Sequence, residues 1–249
     1  MVKEVLPGIK REQKIDLVIA NAENLAHGRG ATVETIREMQ NYGVDFFTGG
    51  DHLFWHKDFE DSIDNLPIVR PANYPEGTPG VGHSLIQYKN GDKILVINLM
   101  GRTSFGGTNS YLDDPFKTVT KILDMYSDRE KYGDIKIKLL DFHAEATSEK
   151  YAMAFYLDGK VDAVVGTHTH VPTCDCMVLP KGTLYVTDIG MTGIVDSVLG
   201  VKKDIIINLF LTAQNQKFEW EEYGKKAFRS VILDTSKKTI ERFDSLVEN

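Results

Sequence analysis

The sequence predicts a layered α/β sandwich. Three observations carry that reading. Short β-branched runs alternate with helical segments over the first two-thirds of the chain, several of those runs are apolar throughout, and the last third is rich in strand-like sequence. Apolar strands belong to sheets covered on both faces, and alternating helices are what cover them.

Taken in order, Met1 falls inside a helix or turn that leads to the first strand, Asp16–Asn21 (DLVIAN). Thr32 is placed to cap a helix with Val33, Ile36, Met39 and Tyr42 on one face, stopped by Gly43. Strands follow at Asp45–Thr48, Ser84–Tyr88, Lys93–Leu99 (KILVINL) and Ile135–Phe142 (IKIKLLDF). Asp114-Pro115 opens a helix carrying Phe116, Val119, Ile122 and Tyr126. A third helix, capped by Thr147 or Ser148, runs to about Asp158. The remaining strands are Asp162–Val165, Thr183–Thr187, Phe218–Glu222, Ala227–Leu233 and Thr239–Phe243. The Pro/Gly-rich stretch Arg70–Gly82 reads as an ordered excursion, so residues 1–249 form one domain.

Bulk properties narrow the class. With 42% hydrophobic and 26% charged residues the composition is that of a soluble globular protein. No apolar run is long enough for a membrane span, and MVKEVLPGIKREQK is not a secretory signal. The cytoplasm is the expected compartment. A net charge of −7 without a basic block argues against extended nucleic-acid binding. Cys174 and Cys176 read as free thiols.

Ligand sites in open α/β sheets lie beyond the carboxyl ends of strands. Those ends deliver Glu23 and Asn24, then Gly-Gly-Asp51-His52, then His143, then His168 and His170 from GTHTH. Any one of these has a bland reading: a turn asparagine, a helix-capping aspartate, a surface histidine. Their convergence at successive strand ends points instead to a metal site. Imidazoles with carboxylate and amide oxygens suit Zn, Mn or Fe. The donors are too many for one ion, so two ions sharing a carboxylate and a hydroxide are expected. His168 and His170 on extended backbone would point the same way and serve one ion each. Such a centre suits in-line attack on phosphorus, with His52 as general acid at the leaving oxygen.

NAENLAHGRG, GGDH, RPANYPEGTPG, NLMGRT, DFHAEATSEK, VVGTHTHV and LPKGTLYVTDIGMTG resemble the YmdB-type calcineurin-like metallophosphoesterases of bacteria over nearly the whole chain. The resemblance implies a four-layer α/β/β/α sandwich of the metallophosphoesterase type with mixed sheets. It also implies two-metal hydrolysis of cyclic nucleotides or other small phosphodiesters. By position, Glu23 resembles the bridging ligand, Asn24 and His170 resemble donors to the first ion, and Asp51, His143 and His168 resemble donors to the second. His52 falls on the family's catalytic histidine.

Two departures qualify this. The family has Gly-Asn-His where this chain has Gly-Asp51-His52, which adds a negative charge. The family also opens with a strand ending in Gly-Asp, whose aspartate binds the first ion, whereas Met1 aligns with the helix after it. A shortened start, pairing of the open edge in a homo-oligomer, or conversion to a non-catalytic binder would each account for that. The expectation is a weakly held first ion.

The leading reading is therefore a metal-dependent phosphodiesterase, and the alternative is a weakened member that binds a nucleotide or protein without turnover. A zinc amidohydrolase would place His-x-His on the first strand of a barrel, not two-thirds along. Arg102 either reaches a phosphate or, like Arg70, pins a loop. Phe54, Trp55 and Phe59 read as helix-packing residues, and His27 is left outside the site.

Overall fold

The computed structural model describes residues 1–103 and 111–247. Each of three consecutive chain segments builds its own sheet. The first segment comprises α1 (Val2–Glu12), β1 (Ile19–Asn21), α2 (Val33–Asn41), β2 (Phe46–Thr48), α3 (Lys57–Glu60) and β3 (Ile68–Val69). Its strands pair in parallel in the order β1-β2-β3. The second segment runs through β4 (His83–Tyr88), β5 (Asp92–Met100), α4 (Pro115–Met125), α5 (Arg129–Tyr132) and β6 (Ile135–His143). It continues with α6 (Thr147–Leu157), β7 (Ala163–Thr167), β8 (Met177–Val178) and β9 (Leu184–Val186). These strands form a mixed sheet in the order β4-β5-β6-β7-β9-β8, parallel from β5 to β9. The third segment holds β10 (Gly193–Ile194), α7 (Lys203–Thr212), β11 (Lys226–Asp234) and β12 (Thr239–Val247), with its strands antiparallel.

Alternation along each strand sorts the side chains into layers. Leu95, Ile97 and Leu99 of β5, with Leu140 and Phe142 of β6, pack under Val119 and Ile122 of α4 and Met153 and Leu157 of α6. The intervening Ile94, Val96 and Leu139 face the opposite way, against Phe46, Val69 and Ile240. Phe47 and Ile68 emerge on the far side, among Leu6 and Ile9 of α1 and Ile36 of α2. The layers therefore run α/β/β/α, and the near-continuous burial along β5 reflects a strand covered on both faces.

Helix starts follow cap chemistry where the sequence supplies it. Thr32 and Thr35 form a reciprocal capping box, and Asp114 Oδ1 accepts from Phe116 N at 2.9 Å and Lys117 N at 3.2 Å. α6 departs from expectation: its N-cap is Ala146, without a side-chain cap, not Thr147 or Ser148. The expected strand Phe218–Glu222 is absent, and only Trp220 makes an isolated bridge, to Val201. α7 has no expected counterpart. Its Ile-Ile-Ile core (residues 205–207) has weak helix propensity and its N-cap is Lys202, so neither start nor interior signals a helix.

The excursion after β3 is pinned by one guanidinium. Arg70 donates to the carbonyls of Pro71, Thr78 and Pro79 at 2.8, 3.2 and 3.0 Å. Arg102 is also engaged locally, with Nη2 3.2 Å from Asp114 Oδ2. Among the described residues, no helix is long and apolar enough to cross a membrane.

Candidate metal centre

Strand register brings the candidate residues together. Asn21 pairs with Thr48, so β1 and β2 end level and release Glu23 and Asp51 at the same edge. In the neighbouring sheet His143 pairs with Thr167, so β6 and β7 end level as well. Beneath these four ends lies the buried carboxylate of Asp141. Thr48 and Thr167 donate to it, the latter at 2.7 Å, and Asn21 Nδ2 donates at 3.1 Å. Asn21 also donates to Gly49 O at 2.9 Å and accepts from Glu23 N at 3.1 Å, tying the first two loops to one another. Burial pushes the Asp141 carboxyl up, against these donors.

Gly50 explains one letter of GGDH. A Cβ there would lie 2.5 Å from both Glu23 Oε2 and His143 Nε2, so only glycine lets the backbone pass this close to the cluster.

Four donors then converge. His143 Nε2 lies 2.6 Å from Glu23 Oε2, 3.0 Å from Asp51 Oδ1 and 3.1 Å from His168 Nδ1. One ligand atom from each of Glu23, Asp51, His143 and His168 falls within 4.8 Å of all the others. Bond lengths of about 2.0–2.2 Å to N and O donors put neighbouring ligand atoms about 3 Å apart, which matches these separations. Two imidazole nitrogens and two carboxylates concentrate lone pairs that few protons can satisfy, and a cation fits them. These residues can hold a metal ion.

Electrostatics follow from the same crowding. Burial pushes Glu23 and Asp51 up, but the neighbouring histidines outweigh it and hold both carboxyls below the usual range. Burial alone would depress His143, yet Glu23 and Asp51 lift it to about 10. His52 Nδ1 lies 2.6 Å from Glu23 Oε1 and 3.4 Å from Asp51 Oδ2. The hydrogen bond to Glu23 raises its pKa against the opposing effect of burial.

The GTHTH segment is not extended, contrary to expectation. β7 ends at Thr167, and His168 and His170 both adopt positive φ, +98° and +66°. Strain of this kind persists where surrounding bonds over-determine the turn. Asp188 supplies them: its Oδ2 accepts from Thr169 N at 3.0 Å and Thr169 Oγ1 at 2.7 Å, and pairs with the buried Lys150 ammonium at 3.0 Å. The turn still divides the two histidines. His168 joins the four-donor cluster, while His170 Nε2 meets Asn24 Nδ2 at 3.0 Å. Burial lowers the His170 pKa, favouring the neutral ring a metal requires. Its Nδ1 is buried without a hydrogen-bond partner, the kind of orphan a bound ion or water explains.

All seven expected residues thus lie in one place. Others in contact with them carry no role in the sequence reading. Glu145 Oε2 lies 3.0 Å from His168 Nε2 and orients that ring. Thr167 and Asp141 back His143, and the signal for Asp141 was available: Asp141 and His143 are two apart at the buried end of β6, hence on one face. Tyr74 donates to Gly50 O at 3.0 Å and steadies the second loop. Cys174 and Cys176 are free thiols outside the cluster.

Comparison with known proteins agrees with this geometry. A sequence model described as YmdB-like protein matches residues 1–244. A 2′,3′-cyclic-nucleotide 2′-phosphodiesterase of Bacillus subtilis (strain 168) is 44% identical over 96% of this chain and 87% of its own length. A putative phosphatase/phosphodiesterase of Mycoplasma genitalium is 34% identical over 96% of this chain and 83% of its own. Among solved structures, a hypothetical protein from Thermus thermophilus superposes with a TM-score of 0.87 at 39% identity, covering 98% of this chain and 92% of that one. A phosphatase from Mycoplasma pneumoniae superposes with a TM-score of 0.84 at 32% identity, covering 99% and 87%. The match spans both loops of the three-stranded sheet and the strands β6 and β7 of the larger one, at whose ends His143 and His168 lie, and the chain belongs to the YmdB-like protein family.

Proposed function

We propose that this chain is a metal-dependent phosphodiesterase acting on small phosphodiesters, cyclic nucleotides among them. The observation that carries the reading is the convergence of Glu23, Asp51, His143 and His168 next to His52. The name of the Bacillus subtilis relative supports the substrate class.

The donor set supports two ions, with iron, manganese or zinc matching its chemistry. Asp51, His143 and His168 would hold one, Asn24 and His170 the other, with Glu23 shared. Bound there, the ions would supply an acidified water as nucleophile and neutralise charge on the non-bridging phosphate oxygens. His52 makes its hydrogen bond to Glu23 through Nδ1, which leaves Nε2 to deliver a proton to the leaving oxygen. Glu23 orients that ring and raises its pKa. The four-donor cluster should retain its ion through purification, and the His170–Asn24 position should lose it.

Manganese-stimulated hydrolysis of bis-p-nitrophenyl phosphate and of a 2′,3′-cyclic nucleotide tests the activity. His52→Ala is expected to lower kcat by about 10²- to 10⁴-fold while metal content stays unchanged. Absence of turnover with every metal would leave the binding-only reading. Metal analysis after desalting tests occupancy: two tightly retained ions per chain would overturn the asymmetry.

A further inference from the structure

A cavity of about 400 Å³ opens at the far ends of the two loops that carry the candidate metal centre, lined by His27, Arg29, Trp55, His56, Phe218 and Trp220 among others. Its walls continue the two loops that carry the site. One loop holds Glu23 and Asn24 at its start and Arg29 at its end, closed by Ala26 N donating to Gly30 O at 2.8 Å. The other holds Asp51 and His52 at its start and Trp55 at its end, with Trp55 N donating to His52 O at 2.9 Å. The loops are joined by His56 Nε2, 3.0 Å from Arg29 O.

Trp55 does not pack as the sequence suggests. Phe59 is buried and Phe54 lies against Tyr74, but Trp55 is 57% exposed, its ring edge-on to His52 with centroids 6.1 Å apart. The Arg29 guanidinium sits over the same indole, 4.8 Å from the ring centroid. The third wall comes from the segment after α7, where a strand was expected. Its Trp220 ring rests on the Gly28 backbone: a Cβ at Gly28, φ +81°, would lie 2.3 Å from a ring carbon. These are the chain's two tryptophans, and both line one hollow next to the proposed general acid.

Exposed aromatic rings with a guanidinium and imidazoles between them recognise a planar, heteroatom-bearing ring, which stacks on the indoles and takes hydrogen bonds at its edge. A purely apolar group would leave the guanidinium and imidazoles unmatched. We infer that this cavity receives the nucleobase of a nucleotide substrate whose phosphodiester sits at the metal centre. The inference rests on the phosphodiesterase reading for its chemistry, but binding can be measured without turnover.

With both tryptophans in the cavity, intrinsic tryptophan fluorescence reports on it alone. The purified protein is titrated with adenosine 3′-monophosphate and, separately, with the base-free methyl riboside 3-phosphate. Saturable quenching by the adenosine compound is expected, with at least tenfold tighter binding than the base-free analogue. Trp55→Ala keeps Trp220 as reporter and should weaken adenosine 3′-monophosphate by about ten- to a hundredfold. In turnover, the same variant should raise KM for 2′,3′-cyclic AMP by a similar factor with little change in kcat. Methyl riboside 2′,3′-cyclic phosphate, which has no base to stack, should lose far less on the same substitution. Equal affinity for the two monophosphates, or no quenching, overturns the inference. If neither cyclic substrate is cleaved, the phosphodiesterase reading fails while the fluorescence result still decides the cavity. Trp220→Ala is not the deciding variant, because Trp220 also packs on Gly28.

Discussion

At the end of β7 the Thr167 hydroxyl donates to Asp141 Oδ1 at 2.7 Å, so its lone pair is left to accept from His143 Nδ1 at 2.9 Å. That contact holds a proton on Nδ1 and turns Nε2 toward Glu23 and Asp51, so that Nε2 is the nitrogen offered to a metal. Thr167→Val keeps the shape and removes the acceptor. Calorimetric titration with Mn²⁺ or Zn²⁺ is expected to show affinity about ten- to a hundredfold weaker. Thr48→Val removes a donor to the same Asp141 without touching His143, and serves as the control. If both variants bind metal equally, Thr167 acts only by satisfying Asp141 and the tautomer argument is wrong. Asp51, where the family pattern has asparagine, belongs to this scale too. It brings a second carboxylate to the cluster, and its 3.0 Å approach to His143 is a charged contact an amide would not make.

Between elements, the ion pair of Lys150 on α6 with Asp188 beyond β9 joins a helix to a sheet edge at 3.0 Å, with both side chains buried. Because Asp188 also accepts two bonds from Thr169, the pair supports the positive-φ turn that separates His168 from His170. Lys150→Met leaves a buried carboxylate without its cation, and denaturant unfolding should show a loss of about 3–5 kcal/mol. A loss below about 1 kcal/mol would mean that Asp188 is satisfied by Thr169 and by Gly190 N, which donates to its Oδ1 at 2.8 Å. Lys150 and Asp188 sit inside DFHAEATSEK and LYVTDIG, yet sequence gives no hint that they meet, because pairing across a fold carries no local period. That the candidate-site residues come together was legible for the opposite reason: they lie at or just beyond strand ends, and strand ends gather at one edge by topology. Elements whose signals are local were legible as well, such as the helix capped by Thr32 and the strand KILVINL. The failures came where tertiary contacts override propensity. α7 forms from isoleucine-rich sequence, and Phe218–Trp220 forms a wall instead of a strand because Trp220 is held on Gly28. The i, i+2 argument assumed an extended backbone, whereas the chain turns with positive φ at both His168 and His170.

For the molecule as a whole, the four-donor cluster lies across the junction of two sheets. Glu23 and Asp51 follow strands of the three-stranded sheet, whereas His143 and His168 end or follow strands of the six-stranded one. A cation there would add to the bonds from Asn21 and Thr48 to Asp141 and to the apolar contacts of Phe46 and Val69 with Val96 and Val165 that already join the layers. The unfolded chain cannot assemble four donors from such distant positions, so metal binding is coupled to folding. At free metal one hundred times Kd the gain is about 2.7 kcal/mol. For a domain of this size that corresponds to a rise in Tm of about 5–10 °C. Scanning calorimetry of the protein stripped with EDTA, then reloaded with Mn²⁺, measures it directly. Gly50→Ala, whose methyl would intrude between Glu23 and His143, is expected to abolish the metal-dependent shift. A shift of the same size in that variant would place the stabilising ion somewhere other than between the sheets.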